Sequence, residues 1–314
     1  MPRILEPGQI EAFAQRAIPR IRLPSPEGPF ASRARRLRQL ARPGAAGHAI
    51  AEYLELTARL AEAQARALPD FPARPPPTAD EIARAHAHRM PLIHATGWER
   101  SPAWRAQLLR IAGAVADSPS ASPGVREVVG RLQGLTVQQL EAQADALLAA
   151  RASEIEMATA PFLMSALQVH WVALASQLKA DDVRPLDVPG VCPVCGTLPV
   201  ASVVRADRDS QGYRYLHCAL CATEWHLVRV TCSQCQNTEN LGYHSIEGSS
   251  EAIRAESCDR CHTYRKILYQ EKDVDVEPVA DDLASLALDL LMAEAGYQRG
   301  SGNPLLWQPA GAAA

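Results

Sequence analysis

All eight cysteines of the 314-residue chain lie between Cys192 and Cys261, in four pairs with two residues between partners. The pairs are Cys192/Cys195, Cys218/Cys221, Cys232/Cys235 and Cys258/Cys261. Cys195 and Cys218 enclose 22 residues, as do Cys235 and Cys258, and the whole first set recurs at an offset of 40 residues. Arg214/Arg254 and Thr223/Thr263 keep the same offset. This is a tandem duplication of a four-cysteine module. A two-residue gap lets both sulfurs of a tight knuckle face one ion, and two facing knuckles complete a tetrahedron whose soft donors suit zinc or iron. The 22 intervening residues suit a β-hairpin that folds the second knuckle onto the first. Gly196, after the first pair, fits a turn that requires positive φ. A module of this size has little core of its own, so metal would supply folding energy, and metal removal is expected to unfold residues 190–270 while the preceding helices persist. Candidate ligands are therefore Cys192, Cys195, Cys218 and Cys221 at a first site and Cys232, Cys235, Cys258 and Cys261 at a second. His217, His226, His244 and His262 lie near the modules and are not needed to complete either set.

Met1-Pro2-Arg3-Ile4-Leu5-Glu6-Pro7 lacks the apolar stretch of a signal peptide, which implies a cytoplasmic, reducing compartment where paired cysteines read as metal ligands or redox groups. Residues 157–178 contain no Asp, Glu, Lys or Arg. Their Pro161, Gln168, His170 and Gln177 favour a helix in a protein core over a membrane span.

Residues 1–187 read as an all-helical domain of six to eight helices. Proline clusters at 24–29, 69–77 and 119–123 break Ala-, Leu-, Arg- and Glu-rich stretches at 31–40, 49–68, 80–90, 104–116, 124–133 and 137–150. Thr78 and Glu81 form a capping-box signature. Beyond residue 187, β-branched and aromatic residues (Val200, Val203, Val204, Tyr213, Tyr215, Trp225, Val228, Val230) predict short strands. The modules are set at 188–229 and 230–275, with a C-terminal helix and tail at 276–314. One helix is predicted over Asp281–Ala295, with Leu283, Leu286, Ala287, Leu290 and Leu291 on its apolar face and Gly296 as C-terminal cap. The tail from Ser301 is expected to fray. The fold class is a multi-domain α plus small-β chain.

From Val191 to Tyr297 the sequence resembles the FdhE family of formate dehydrogenase accessory proteins. The residues that carry the likeness are Cys192-Pro-Val-Cys-Gly-Thr-Leu-Pro-Val-Ala-Ser202, Arg214-Tyr-Leu-His-Cys-Ala-Leu-Cys-Ala-Thr-Glu-Trp-His226, Tyr264-Arg-Lys-Ile-Leu-Tyr-Gln-Glu-Lys272 and Glu277-Pro-Val-Ala-Asp-Asp-Leu-Ala-Ser-Leu-Ala-Leu-Asp-Leu-Leu291. The resemblance implies a helical domain followed by two rubredoxin-like modules. It implies a cytoplasmic maturation factor, not an enzyme, that binds the catalytic subunit of a respiratory formate dehydrogenase. It also implies iron as the bound metal, where the donor set alone leaves iron or zinc open.

Two other classes compete. A zinc-ribbon adaptor on nucleic acid is disfavoured by charge. Residues 1–187 carry +3 and residues 188–314 carry −6, with an acidic stretch at Glu271–Glu277, whereas phosphate contacts need clustered Lys and Arg. A rubredoxin-like electron carrier is compatible with the cysteines. A basic run, Arg33, Arg35, Arg36, Arg38 and Arg42, reads as a solvated helix face or as a docking surface for an acidic partner. No phosphate loop, nucleophile elbow or dinucleotide fingerprint occurs. His86, His88 and His94 read as ordinary residues, and the sequence does not fix an oligomeric state.

Overall fold

The structure is a computed structural model and describes residues 18–306. The opening residues weighed for a signal peptide and the last eight of the tail lie outside that range. After a two-residue strand β1 (Ile21–Arg22) come seven α-helices: α1 (Phe30–Ala41), α2 (Ala51–Ala67), α3 (Ala79–Ala87), α4 (Ala103–Ala116), α5 (Pro123–Gly134), α6 (Val137–Leu148) and α7 (Ala160–Ala175). Their starts are set by chemistry visible in the sequence. Thr78 and Glu81 form a complete capping box, as do Thr136 and Gln139, and Ser122 accepts from the Val125 N–H at the start of α5.

Helix α7 lies in the apolar window of the sequence, and every one of its residues is buried. A helix apolar on all sides must be enclosed, and α2, α4 and α6 enclose it. Gln168 is partnered: Gln64 donates to Gln168 Oε1 at 2.8 Å, and Gln168 donates to the Ala219 carbonyl at 2.7 Å. That second bond ties the helical core to a cysteine knuckle. Neither ring nitrogen of buried His170 has a hydrogen-bond partner among the described residues. Among the described residues no helix is long and apolar enough to cross a membrane.

The remaining strands are β2 (Ala201–Val204), β3 (Arg214–His217), β4 (Glu224–His226), β5 (Leu241–His244), β6 (Ile253–Cys258), β7 (Thr263–Tyr269) and β8 (Gln298–Arg299). The offset of 40 residues carries β2 onto β5, β3 onto β6 and β4 onto β7. Each module is an antiparallel meander, and both join in one sheet of order β1-β4-β3-β2-β7-β6-β5. The junction is parallel, with Ser202, Val203 and Val204 opposite Ile267, Leu268 and Tyr269. The modules are thus linked head to tail, the first strand of one against the last strand of the other. Val228 and Val230, expected in a strand, lie in the exposed connection between modules.

The first module does not stand apart. Cys192, Val194, Cys195, Cys218 and Leu220 belong to the same hydrophobic cluster as Trp104, Leu167 and Trp171 of the helices. The expectation that residues 190–270 unfold independently of the helices is therefore revised: the module that lacks a core of its own shares theirs.

The C-terminal helix also departs from expectation. It is two helices, α8 (Pro278–Ala284) and α9 (Leu286–Glu294), broken at Ser285 with φ −104° and ψ 38°. Glu277 caps α8 by accepting from the Val279 and Ala280 N–H groups. The break turns the second half, so Leu288 and Met292 point inward while Leu290 and Leu291 are 67% and 47% exposed. Helix α8 packs Ala280, Leu283 and Ala284 against α1 and α2. Gly296 takes φ 85°, its N–H donating to Ala293 O and that of Tyr297 to Met292 O, which closes α9 as the sequence predicts. The segment 301–306 is anchored rather than frayed: Asn303 donates to Val279 O and Asp282, and Leu305 is buried.

Candidate metal centres

The four knuckles share one backbone. Cys192, Cys218 and Cys232 each accept, at 2.9–3.0 Å, the N–H four residues on, and each donates its own N–H to the carbonyl five residues on. The residue after the second cysteine has positive φ every time: Gly196 (79°), Ala222 (58°), Gln236 (62°) and His262 (50°). Only the first uses glycine, and the other three accept the strain of a left-handed side-chain residue.

These turns bring the sulfurs together as two sets, each within 4.8 Å of one another, drawn from Cys192, Cys195, Cys218, Cys221 and from Cys232, Cys235, Cys258, Cys261. All eight are free thiols. Cys192 Sγ lies 3.6 Å from Cys221 Sγ and Cys195 Sγ 3.4 Å from Cys218 Sγ. In the second set the matching separations are both 3.7 Å. A tetrahedron with metal–sulfur bonds of about 2.3 Å has edges of about 3.8 Å, so both sets fit a four-thiolate ion. No histidine or carboxylate joins either set among the described residues. Burial pushes the Cys192 and Cys221 thiols well above their ordinary range. Burial acts the same way on Cys218, but hydrogen bonds from Cys192, Cys195 and Cys221 overcome it and hold that thiol well below. In the second set burial lifts Cys232 to about 12, whereas backbone N–H groups of Cys261 and Arg260 outweigh burial and bring Cys258 to about 7. A bound cation would require every ligating sulfur to be deprotonated, so its binding would release protons.

Around the sulfurs the repeat continues. Thr197 Oγ1 lies 3.2 Å from Cys195 Sγ and 3.1 Å from Cys218 Sγ, and its repeat partner Asn237 donates to Cys258 Sγ at 3.9 Å. Thr223 and Thr263 lie 3.2 and 3.0 Å from Cys221 and Cys261.

The two sites differ in their surroundings. All four cysteines of the first are buried, whereas Cys235 and Cys261 of the second are partly exposed. The first is covered by the loop between α3 and α4, where Ile93 donates to Val194 O at 2.9 Å and Ala95 to Cys195 O at 2.8 Å. A Cβ on Gly196 would meet His94 Cδ2 at 2.9 Å and Pro91 Cγ at 3.1 Å, so this knuckle needs glycine for close approach as well as for φ. His94, which the sequence reads as an ordinary residue, is part of the first site's cover. Its signal in the sequence is only the Pro91 turn beside it, which says nothing about where that loop docks.

His217, Thr223, Glu224 and Trp225, close to the first site's knuckles, are all interior. Glu224 takes His217 Nδ1 at 3.0 Å and Arg205 Nε at 3.0 Å. Burial raises its proton affinity, but the charges of Arg205 and His217 outweigh this and hold it well below the usual carboxylate range. Exposed side chains occur instead at the second site: Gln234, Gln236, Asp259, Arg260 and His262. The basic run is largely spent within the chain. Arg33 pairs with Glu277 at 3.0 Å, Arg36 with Asp281 and Asp273 at 2.7 Å, and Arg38 with Glu62. Arg33 and Arg36 thereby clamp α1 to the acidic segment that follows the second module.

Fold and site define a class: a helical protein whose C-terminal sheet carries two tandem four-cysteine metal-centre candidates. Residues 18–187, 191–229 and 230–306 match the models for FdhE, N-terminal; FdhE, central domain; and FdhE, C-terminal domain. The chain belongs to the FdhE family. It is 43% identical to the Protein FdhE homolog of Edwardsiella ictaluri, over 91% of this chain and 90% of that one. It is 39% identical to Protein FdhE of Escherichia coli K12, over 96% of each. A crystal structure of the FdhE protein from Pseudomonas aeruginosa superposes with a TM-score of 0.81 at 36% identity, covering 93% of this chain and 100% of that one.

Proposed function

We propose that this chain is a cytoplasmic accessory factor that binds the catalytic subunit of a respiratory formate dehydrogenase and supports its activity or assembly. It would do so with one metal ion in each four-cysteine site and without catalytic turnover of its own. The observation that carries the reading is the pair of thiol tetrahedra within a chain of this family. Cys192, Cys195, Cys218 and Cys221 would hold the first ion, and Cys232, Cys235, Cys258 and Cys261 the second. Iron would supply one-electron redox chemistry when bound, and zinc a structural crosslink. The chain's own contribution is to fix the sulfurs, to exclude water from the first site under the His94 loop, and to present the second beside polar, exposed knuckles. The partial exposure of Cys235 and Cys261 also favours a second reading, in which the second site exchanges electrons with a partner.

The test is made in a strain lacking this protein and any redundant copy. Wild type should restore formate dehydrogenase activity and, when affinity-tagged, recover the catalytic subunit. Cys218→Ser or Cys258→Ser should restore less. Normal enzyme activity in the deletion strain, with no subunit recovered, would overturn the assignment. Metal analysis of anaerobically purified protein separates iron from zinc.

A further inference from the structure

Arg265, on β7, is buried beside the second four-cysteine cluster without a carboxylate of its own. Its Nε donates to Ser233 Oγ at 2.8 Å, and Nη1 donates to Ser301 Oγ at 2.7 Å and to the Pro199 carbonyl. All three acceptors are neutral, and Nη2 has no partner among the described residues. The other buried basic side chains described here each face a carboxylate: Arg33 faces Glu277 at 3.0 Å, Arg214 faces Glu256 at 2.7 Å and Lys266 faces Asp289 at 2.7 Å. Glu256 does sit across the strands from Arg265, but its carboxylate is held by Arg214 and by Tyr243. Asp282 is held by Arg299 and Lys266. Arg214, Arg265, Lys266 and Arg299 therefore share Glu256, Asp282 and Asp289, which leaves one positive charge over. An isolated buried charge is costly enough that structures supply an opposite one.

The missing negative charge lies on the other side of Ser233. That residue sits inside the Cys232/Cys235 knuckle, and a water-sized cavity of about 10 Å³ is walled by Arg265 together with Cys232, Ser233 and Cys258. A divalent ion held by four thiolates carries a net charge of about −2. The repeat shows that this arrangement is particular to one site. The counterpart of Arg265 in the first module is Trp225, whose Nε1 donates to Pro189 O at 2.7 Å. We propose that Arg265 is the counter-ion of the second metal centre, offsetting thiolate charge that the first centre leaves to hydroxyl and backbone donors alone. The proposal rests on the reading that the clusters hold metal.

The experiment uses the full chain with cobalt(II) as probe, its thiolate charge-transfer bands followed while a chelator competes. Wild type should release cobalt in two steps, and Cys235→Ser identifies the second-site step by its loss. Arg265→Met should weaken that step by about 10–100-fold, the usual effect of removing a group that supports metal ligands, and leave the first-site step unchanged. Arg265→Lys, which restores charge but not shape, should recover most of the affinity. Second-site affinity unchanged in Arg265→Met would overturn the proposal, as would a lysine variant no better than methionine. Should Arg265→Met not fold, Ser233→Ala reads the same contact: a loss confined to the second step supports the proposal and unchanged affinity overturns it. Wild type that binds no cobalt would instead sink the metal reading itself, so the two failures are distinguishable.

Discussion

At the residue scale, the position after each second cysteine decides how much strain a knuckle stores. Gly196 meets its φ of 79° freely, whereas Gln236 takes 62° with a side chain. Left-handed backbone costs a non-glycine residue about 1–2 kcal/mol. Gln236→Gly should therefore raise the thermal midpoint of the metal-loaded protein, offset in part by the greater chain entropy of glycine, and Gly196→Ala should lower it by at least the φ cost. Parallel thermal unfolding of both variants checks this, and a neutral Gly196→Ala would mean the turn relaxes. Only one of these four left-handed positions was legible, because the sequence advertises that region only where glycine occurs. Glu224 offers a pH test. Its folded pKa is depressed, so its stabilisation is present above the unfolded value of about 4.3 and is lost as pH falls toward the folded one. Glu224→Gln should show its full deficit at neutral pH, with the gap to wild type narrowing below about pH 4. A gap constant from pH 7 to pH 3 would show that the carboxylate's charge contributes nothing.

At the scale of elements, α9 is where periodicity misled. Leu283, Leu286, Ala287, Leu290 and Leu291 share a face only if the helix runs unbroken. Ser285 interrupts it, and α8 is drawn instead onto α1 and α2 by Leu283 and by the Arg36–Asp281 pair. Nothing local marks Ser285 as a break, since its side chain merely accommodates the turn by donating to Asp281 O at 2.7 Å. Leu288→Ala and Met292→Ala should each cost about 2–4 kcal/mol. Leu290→Glu should change stability by less than about 0.5 kcal/mol. Chemical denaturation separates these cases, and a Leu290→Glu penalty as large as that of Leu288→Ala would restore the unbroken face. By contrast, α3 was readable because its cap is encoded within four residues, α6 from its run of helix formers, and α7 because no surface helix can be apolar all round. The sheet was legible only by halves. The 40-residue offset gives each meander, but the β2–β7 junction is a tertiary pairing with no local signature.

At the scale of the whole molecule, the two centres occupy different environments although their ligands repeat. The first lies within the core that α7 organises, and the second reaches solvent through Cys235 and Cys261. A chelator should therefore empty the second site first, and the near-ultraviolet signal of Trp104 and Trp171 should persist until the first is lost. Simultaneous release with immediate loss of that signal would show the chain to be a single cooperative unit for metal retention. The head-to-tail join of the modules has a separate consequence for assembly. A junction between unlike edges has no built-in end, because each unit joined through one edge offers the next its other edge. Here one end is occupied by Ile21 and Arg22 lying along β4, while β5 keeps its outer edge. Removing the two residues of β1 would free that edge of β4. A protein shortened by its first 23 residues should grow into open-ended oligomers whose size rises with concentration in light scattering, and a stable monomer would mean that the freed β4 edge does not match β5.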